Sequence, residues 1–218
     1  MGLVSGFLDL LFPPKCAFCR RILKAGEEGM CARCEKELCY TKNGGAQKGD
    51  FFTVCLAPLF YEGKVRDSIL RFKFHEATSY AKVYGRLIAR CVRENLDREY
   101  DMISWVPLSQ KRLKKRGYDQ AMLLAMATAL ELNDVAAETL VKHTDVPAQS
   151  SVGSEEKRRA NISGAYRVRD EEFIAGRRIL LIDDIVTTGA TFSECARTLR
   201  RAGAQEVFCA ALARARES

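Results

Sequence analysis

The segment Ile179–Thr191, which reads ILLIDDIVTTGAT, constrains the fold of this 218-residue chain more than any other. It passes from a short apolar run through two adjacent carboxylates, Asp183 and Asp184, into a loop of threonines with one glycine. A helical pattern follows. Gly189 permits a loop conformation that other residues rarely adopt, and the N–H groups at the start of a helix favour an anion. The segment therefore predicts a buried strand, an anion-binding loop and a helix.

The polar groups of this loop indicate what kind of anion it would accept. Thr187, Thr188 and Thr191 add hydroxyl donors, and Thr191 stands three positions before Glu194, a spacing typical of a capping box. The loop matches neither the Walker pattern nor the dinucleotide-binding pattern. Two adjacent acids repel phosphate but suit hydroxyl groups or a phosphate-bound Mg²⁺. We therefore expect a ligand with a phosphate beside a diol, such as a ribose 5-phosphate; the alternative is a capped turn with ordinary surface acids.

The remaining apolar patterns alternate between strand and helix periods. Helical spacing covers Tyr80–Val92 and the region after the loop, and Asp119 can cap a third helix that is apolar on nearly all sides and is expected to be buried. Strands are predicted at residues 51–61, 102–106, 178–182 and 207–212, with Pro58 marking an edge or a break in the first. The alternation predicts an α/β protein with a mainly parallel sheet flanked by helices.

Four cysteines near the N-terminus have the spacing of a metal site. Two C-x-x-C pairs are separated by eleven residues and consist of Cys16, Cys19, Cys31 and Cys34. Each pair lets a turn present two thiolates, and two turns complete a tetrahedron, so the pattern favours a structural zinc. An iron site, redox thiols and coincidence are the alternatives, and Cys39 is a candidate substitute ligand. The cysteines in apolar patterns are interpreted as core residues: Cys55, Cys91, Cys195 and Cys209.

Composition narrows the class of protein. A hydrophobic content of 47% is that of an ordinary globular chain. No apolar run is long enough to span a membrane, and the N-terminus lacks the basic region of a secretory signal. An odd count of nine cysteines indicates a reducing compartment, so a cytoplasmic location is expected. The net charge of +7 suits anionic partners such as phosphates or nucleic acid.

The motif DDIVTTGAT resembles the loop of type I phosphoribosyltransferases that binds phosphoribosyl diphosphate (PRPP). The resemblance narrows to the ComF family on the motifs FPPKCAFC…CARC, YEGKVRDSILRFKFH, VPLSQKRLKKRGYDQA and KRRANISGAY. It implies a four-cysteine, zinc-ribbon-like module at residues 1–45 and a type I phosphoribosyltransferase-like domain at residues 46–218. It also implies that Asp183 and Asp184 hold the ribose hydroxyls. The residues implied to cradle the 5-phosphate are Thr187, Thr188, Gly189, Ala190 and Thr191.

Two basic segments complete the predicted site. Five cations fill the six positions Lys111–Arg116, in what we expect to be a loop, and the resemblance places diphosphate binding there, with Lys115 and Arg116 as candidates. The polar stretch His143–Gly164 is predicted to be a lid, and its Arg158 a catalytic contact to the diphosphate. Solvated charged faces, a plain surface loop for the lid, and a track for a nucleic-acid backbone are the alternatives.

These features leave several functions open. The first is an enzyme that uses Mg²⁺ to transfer a phosphoribosyl group from PRPP to a nitrogen nucleophile, with any hood over the base built from N-terminal residues. The second is a non-catalytic protein that binds PRPP or handles single-stranded DNA, because the ComF resemblance implies natural competence and DNA-uptake machinery as a partner. A transcriptional regulator ranks last, since no helix-turn-helix pattern is present.

Overall fold

The protein is built on a parallel β-sheet with helices on both faces. The computed structural model describes residues 13–74, 78–143 and 164–216. The strands are β1 (Cys55–Leu56), β2 (Leu59–Phe60), β3 (Met102–Trp105), β4 (Leu140–Lys142), β5 (Tyr166–Val168), β6 (Arg178–Val186) and β7 (Glu206–Arg214). The helices are α1 (Ala32–Glu37), α2 (Gly63–Phe74), α3 (Tyr80–Leu96), α4 (Gln110–Arg116), α5 (Gln120–Leu132), α6 (Glu171–Ile174) and α7 (Ala190–Arg201). The predicted α/β class is confirmed.

The central sheet has the order β1–β7–β6–β3, and all of its pairs are parallel. Strand β2 also pairs with β7, in the same register as β1, because Cys55 lies opposite Cys209 and Leu59 opposite Ala213. The two segments thus form one edge strand that is interrupted at Pro58, which has no N–H for the ladder. This confirms the break predicted at that proline.

Side chains of the two central strands alternate between two cores. In β6, Leu180 and Ile182 face the core that contains α3 and α5, whereas Ile179 and Leu181 face the core that contains α7. Successive side chains of a strand point to opposite faces. Strands that are covered on both faces have nearly continuous apolar sequences. This explains why polar and apolar residues do not alternate along most of β6 and β7.

Two helices differ from expectation. The chain after Pro107 is not a basic loop but helix α4, because Ser109 accepts a hydrogen bond from Arg112 N–H and Gly117 ends the helix at φ 79°. Helix α5 begins after Asp119 as predicted, but it is not buried on all sides, since Leu130 is 79% exposed.

A small antiparallel pair lies outside the main sheet. Strands β4 and β5 pair with Leu140 opposite Val168. They flank the predicted lid, of which the part containing Arg158 lies outside the described residues. Among the helices that the structure describes, none is both long and apolar enough to cross a bilayer.

Candidate functional site

The predicted ligand residues meet at one edge of the sheet. Strands β3 and β6 are parallel neighbours, with Trp105 opposite Ile182. Their carboxyl ends therefore lie side by side, and this is the edge at which open α/β sheets bind ligands. Helix α4 follows β3 and the threonine loop follows β6. The fold thus brings the acidic pair, the loop and the basic helix to the same edge.

The acidic pair lies near the carboxyl end of strand β6, which continues to Val186. The Oδ1 atom of Asp183 accepts a hydrogen bond from the Asp184 N–H at 2.7 Å. Burial and the neighbouring charge of Asp184 raise the pKa of Asp183. Asp184 is itself 8% exposed. Burial and the charge of Asp184 also raise the pKa of nearby Asp119, but both of its carboxylate oxygens accept backbone N–H groups, from Leu108 and Met122. Carboxylate oxygens are the donor type that Mg²⁺ prefers, so Asp183 and Asp184 are the acids here that could hold a divalent cation.

One lysine balances this acidic cluster. The Lys73 Nζ atom lies 2.9 Å from Asp184 Oδ2, and both side chains are largely shielded from solvent. Lys73 is the penultimate residue of helix α2. Its charge opposes the rise of the Asp183 pKa. Lys73 is not among the residues predicted from the sequence, although a cation between two phenylalanines at the end of an amphipathic helix is a signal that could have identified it.

The threonine loop has the backbone of an anion-binding turn. Gly189 takes the N-cap position of α7 at φ 76°, in the left-handed region that favours glycine. The Ala190 N–H donates to Thr188 Oγ1 at 3.4 Å. The first-turn N–H groups of a helix have no partner within it and are free for an anion. The five predicted loop residues therefore stand together at the start of α7.

The predicted capping box is wrong. Thr191 is the second residue of α7, because Gly189 and not Thr191 takes the cap position. The Glu194 carboxylate instead accepts a hydrogen bond from the Gly164 N–H at 2.6 Å and another from the Arg197 guanidinium at 2.6 Å. Glu194 thus ties α7 to the chain that leads into β5.

An N-terminal segment covers the loop. A Cβ atom at Gly189 would lie 3.3 Å from Gln47 Nε2 and 3.5 Å from Phe52 Cζ. The ring of Phe52 packs on that of Phe192 at 6.4 Å, and the backbone of Gln47 is bridged to Cys55 in β1. A hood built from N-terminal residues is a prediction from the sequence, but Gln47 and Phe52 are not among the predicted residues.

The basic helix holds one cation against the end of α2 and directs others to solvent. The Arg116 guanidinium lies 5.1 Å from the ring centroid of Phe74, the last residue of α2, and it donates to Gln120 at 2.6 Å. Lys115 is exposed. Arg116 is therefore fixed between α2 and α5, whereas Lys115 faces the solvent.

The four predicted zinc ligands form one cluster. Their Sγ atoms all lie within 4.8 Å of one another, and Cys19 and Cys31 are 3.7 Å apart. A tetrahedron with zinc–sulfur bonds of about 2.3 Å has edges of about 3.8 Å. Although burial raises the pKa of the Cys31 thiol, hydrogen bonds from the Cys34 N–H and from neighbouring thiols lower it to about 7. The donor set and spacing fit a structural zinc.

The other cysteines lie elsewhere. Cys39 is exposed and outside the cluster, so it does not substitute for a ligand. The four predicted core cysteines are buried: Cys55, Cys91, Cys195 and Cys209. None of the nine cysteines, all of which lie in the described part of the chain, forms a disulfide bond.

Comparisons with known proteins match both the cysteine-rich segment and the C-terminal half of the chain. A family model described as a phosphoribosyl transferase domain matches residues 118–218, and one described as a double zinc ribbon domain matches residues 7–49. Within the described residues we find one cluster of at least three ligand-type side chains, the four cysteines.

Relatives that match most of the chain carry names that refer to competence or to DNA utilization. The chain is 28% identical to competence protein F of Haemophilus influenzae, over 92% of this chain and 97% of that protein. It is 29% identical to DNA utilization protein YhgH of Escherichia coli K12, again over 92% and 97%. It is also 29% identical to competence protein ComFC of Streptococcus pneumoniae, over 88% and 83%.

Proposed function

Since this chain belongs to the ComF family, in which a zinc module precedes a phosphoribosyltransferase domain, we propose that it binds PRPP with Mg²⁺ and transfers the phosphoribosyl group to a nitrogen nucleophile. The observation that carries the proposal is the convergence of Asp183, Asp184 and the Gly189 loop at one edge of the sheet. Residues 1–45 would bind zinc and residues 46–218 the ligand. The names of the relatives support a role in competence or DNA use, and nine cysteines without a disulfide among them support a cytoplasmic location.

The residues divide the recognition of PRPP between them. The carboxylates of Asp183 and Asp184 accept hydrogen bonds from the ribose hydroxyls. The N–H groups of the loop and the hydroxyls of Thr187, Thr188 and Thr191 hold the 5-phosphate. Arg116 and Lys115 approach the diphosphate from helix α4. These contacts leave C1 of the ribose accessible to an incoming acceptor.

The transfer itself needs positioning and charge neutralisation more than covalent help from the protein. The acceptor nitrogen attacks C1 while the bond from C1 to the diphosphate oxygen breaks. Diphosphate leaves with the bonding electron pair, and the nitrogen releases its proton to solvent. A Mg²⁺ ion bound with PRPP beside the carboxylates of Asp183 and Asp184 would supply charge neutralisation for the leaving diphosphate. The acidic pair holds the sugar, and the basic helix attracts the leaving group.

The test is a calorimetric titration of PRPP with Mg²⁺ into the zinc-loaded protein. The Asp183→Asn/Asp184→Asn variant serves as the control, because it keeps the shape of the pair and removes its charge. Saturable binding to the wild-type protein that is lost in the variant would support the proposal. A screen of nitrogen bases for release of diphosphate would then identify turnover. Equal binding by both proteins would refute the assigned site.

A non-catalytic role is the second candidate, and the surface of α4 favours it. Lys111, Lys114 and Lys115 are exposed next to the ligand edge, an arrangement that attracts the phosphates of single-stranded DNA. In this case PRPP would bind without release of diphosphate. A salt-dependent affinity for single-stranded DNA, lowered when these lysines are changed to glutamine, would distinguish this function.

A further inference from the structure

Helix α2 stands between the zinc cluster and the acidic pair. An α-helix turns about 100° per residue, so Arg71 and Lys73 lie about 200° apart around its axis. They point to opposite sides of the helix. One side contacts the turn Cys16–Cys19, which we call the first knuckle, and the other contacts the ligand edge.

The knuckle side of α2 is fixed by hydrogen bonds. Arg71 Nη2 donates to the carbonyl oxygens of Ala17 at 3.0 Å and Phe18 at 2.9 Å, both inside the first knuckle. Ser68, one turn earlier, is fully buried and donates to the same Ala17 carbonyl. Because these carbonyls lie between two of the cysteines, the rotation of α2 about its axis depends on the shape of the knuckle.

Lys73 lies on the ligand side of α2. Among the described residues it is the only basic side chain with an ion pair to the acidic pair Asp183 and Asp184. Lys73 Nζ lies 2.9 Å from Asp184 Oδ2. The residues on either side of Lys73 are held as well, because the Tyr118 hydroxyl donates to the Phe72 carbonyl and the Arg116 guanidinium stacks on Phe74. A rotation of α2 would therefore withdraw Lys73 from Asp184 and at the same time disturb the junction between α4 and α5.

We propose that Lys73 is a positioning residue that holds the Asp184 carboxylate in place for the ribose hydroxyls, and that the first knuckle fixes Lys73 through Arg71. The inference rests on the proposed function, because its readout is the affinity for PRPP. It links the two sites: the zinc module acts on the ligand site through a single helix. A charge-assisted pair that is shielded from water is worth more than an exposed one, so its loss is measurable.

The first experiment is calorimetric titration of PRPP with Mg²⁺ into Lys73→Gln. We expect affinity about tenfold weaker than wild type, since a hydrogen bond to a charged group is lost. Lys73→Arg keeps the charge and is expected to restore affinity to within about threefold. Lys64→Gln is the matched control, because Lys64 lies on the same helix and pairs with Glu37 at 3.2 Å, away from the ligand edge.

The second experiment tests the link to zinc. Arg71→Gln is expected to weaken PRPP binding about three- to tenfold while metal analysis still finds zinc in the protein. If Arg71 acts through Lys73, the same change made in the Lys73→Gln background has no further effect on affinity. Additive losses would overturn the link, because they would mean that Arg71 acts on the site by another route.

The outcomes separate this inference from the proposed function. If the wild-type protein binds PRPP, the Asp183/Asp184 variant does not, and Lys73→Gln binds as wild type, the inference fails and the function stands. Tighter binding by Lys73→Gln would also overturn it, because Lys73 would then compete with the ligand for Asp184. If the wild-type protein and the acidic-pair variant bind equally, the proposed function fails.

Discussion

Replacing Gly189 with alanine tests whether the backbone of the threonine loop holds a phosphate. Gly189 sits at φ 76°, where an alanine is strained by about 1–2 kcal/mol. Alanine also lowers the conformational entropy of the unfolded chain, and this effect offsets about 0.4–1 kcal/mol of the strain. The new Cβ would lie 3.3 Å from Gln47 Nε2, the end of a flexible side chain that can move, and 3.5 Å from Phe52 Cζ, an ordinary contact. The free energy of unfolding should therefore fall by about 1 kcal/mol.

The matched control is Gly176→Ala. Gly176 lies at φ 71° in the turn before β6, and a Cβ there would have nothing within 4 Å. Both variants should lower the melting temperature by a similar amount, about 2–4 °C for a chain of this size. Only Gly189→Ala should also weaken PRPP binding, by at least about tenfold, because strain in the loop misaligns N–H groups that bind a charged ligand.

Thermal unfolding and calorimetric titration of the two variants give the answer. If Gly189→Ala binds PRPP as tightly as Gly176→Ala, the loop backbone does not hold the phosphate and the assignment of the site is wrong. If Gly189→Ala is destabilised much more than its control, the contact with Gln47 is rigid and the strain calculation is wrong.

Three further variants test the helix packing, the Glu194 ion pair and the cysteine cluster. Gly85→Ala should lower the free energy of unfolding by about 1–3 kcal/mol in urea titration, despite the better helix propensity of alanine, because its Cβ would lie 2.5 Å from that of Ala127; a gain in stability would contradict the close helix contact. Glu194 is ionised more readily than usual because hydrogen bonds from Arg197 outweigh its burial and lower its pKa below 4.5. A depressed folded-state pKa adds stability that is present at neutral pH and is lost as pH falls through the folded-state value. Glu194→Gln should therefore melt below wild type at neutral pH, and the difference should shrink as the pH falls through the lowered pKa of Glu194; a constant difference would refute the reasoning. Cys31→Ser should lower zinc content and melting temperature together, and unchanged metal binding would show that three thiols suffice.

Local patterns predicted much of the fold. The spacing of Phe192, Cys195 and Leu199 predicted the buried face of α7, and all three are buried. The C-x-x-C pairs predicted the metal cluster, since each pair is a turn that closes within a few residues. Such features depend on neighbours in the sequence, and a single chain shows them directly.

Contacts between distant residues could not be predicted in this way. The ion pair of Lys73 with Asp184 depends on where α2 packs, which no periodicity encodes. Helix α4 was missed because its run of cations concealed the capping signals of Ser109 and Gly117. The capping box at Thr191 was predicted wrongly because Gly189 competes for the same position. The role of Arg158 stays a prediction, since that residue lies outside the described structure.

The edge strand formed by β1 and β2 has its partner at the far end of the described chain, in β7. On the ribosome, the cysteines and the edge strand emerge long before residues 206–214. The metal cluster needs only residues 16–34 and can close early, whereas the bridge from Gln47 to Cys55 is held over the loop by a strand that is synthesised late. Long-range pairing of this kind is a slow step of folding. A nascent chain that stalls before β7 could therefore close its cysteine cluster but would lack the strand that holds Gln47 over the loop, and any ligand binding that needs this cover would report that β7 has been made.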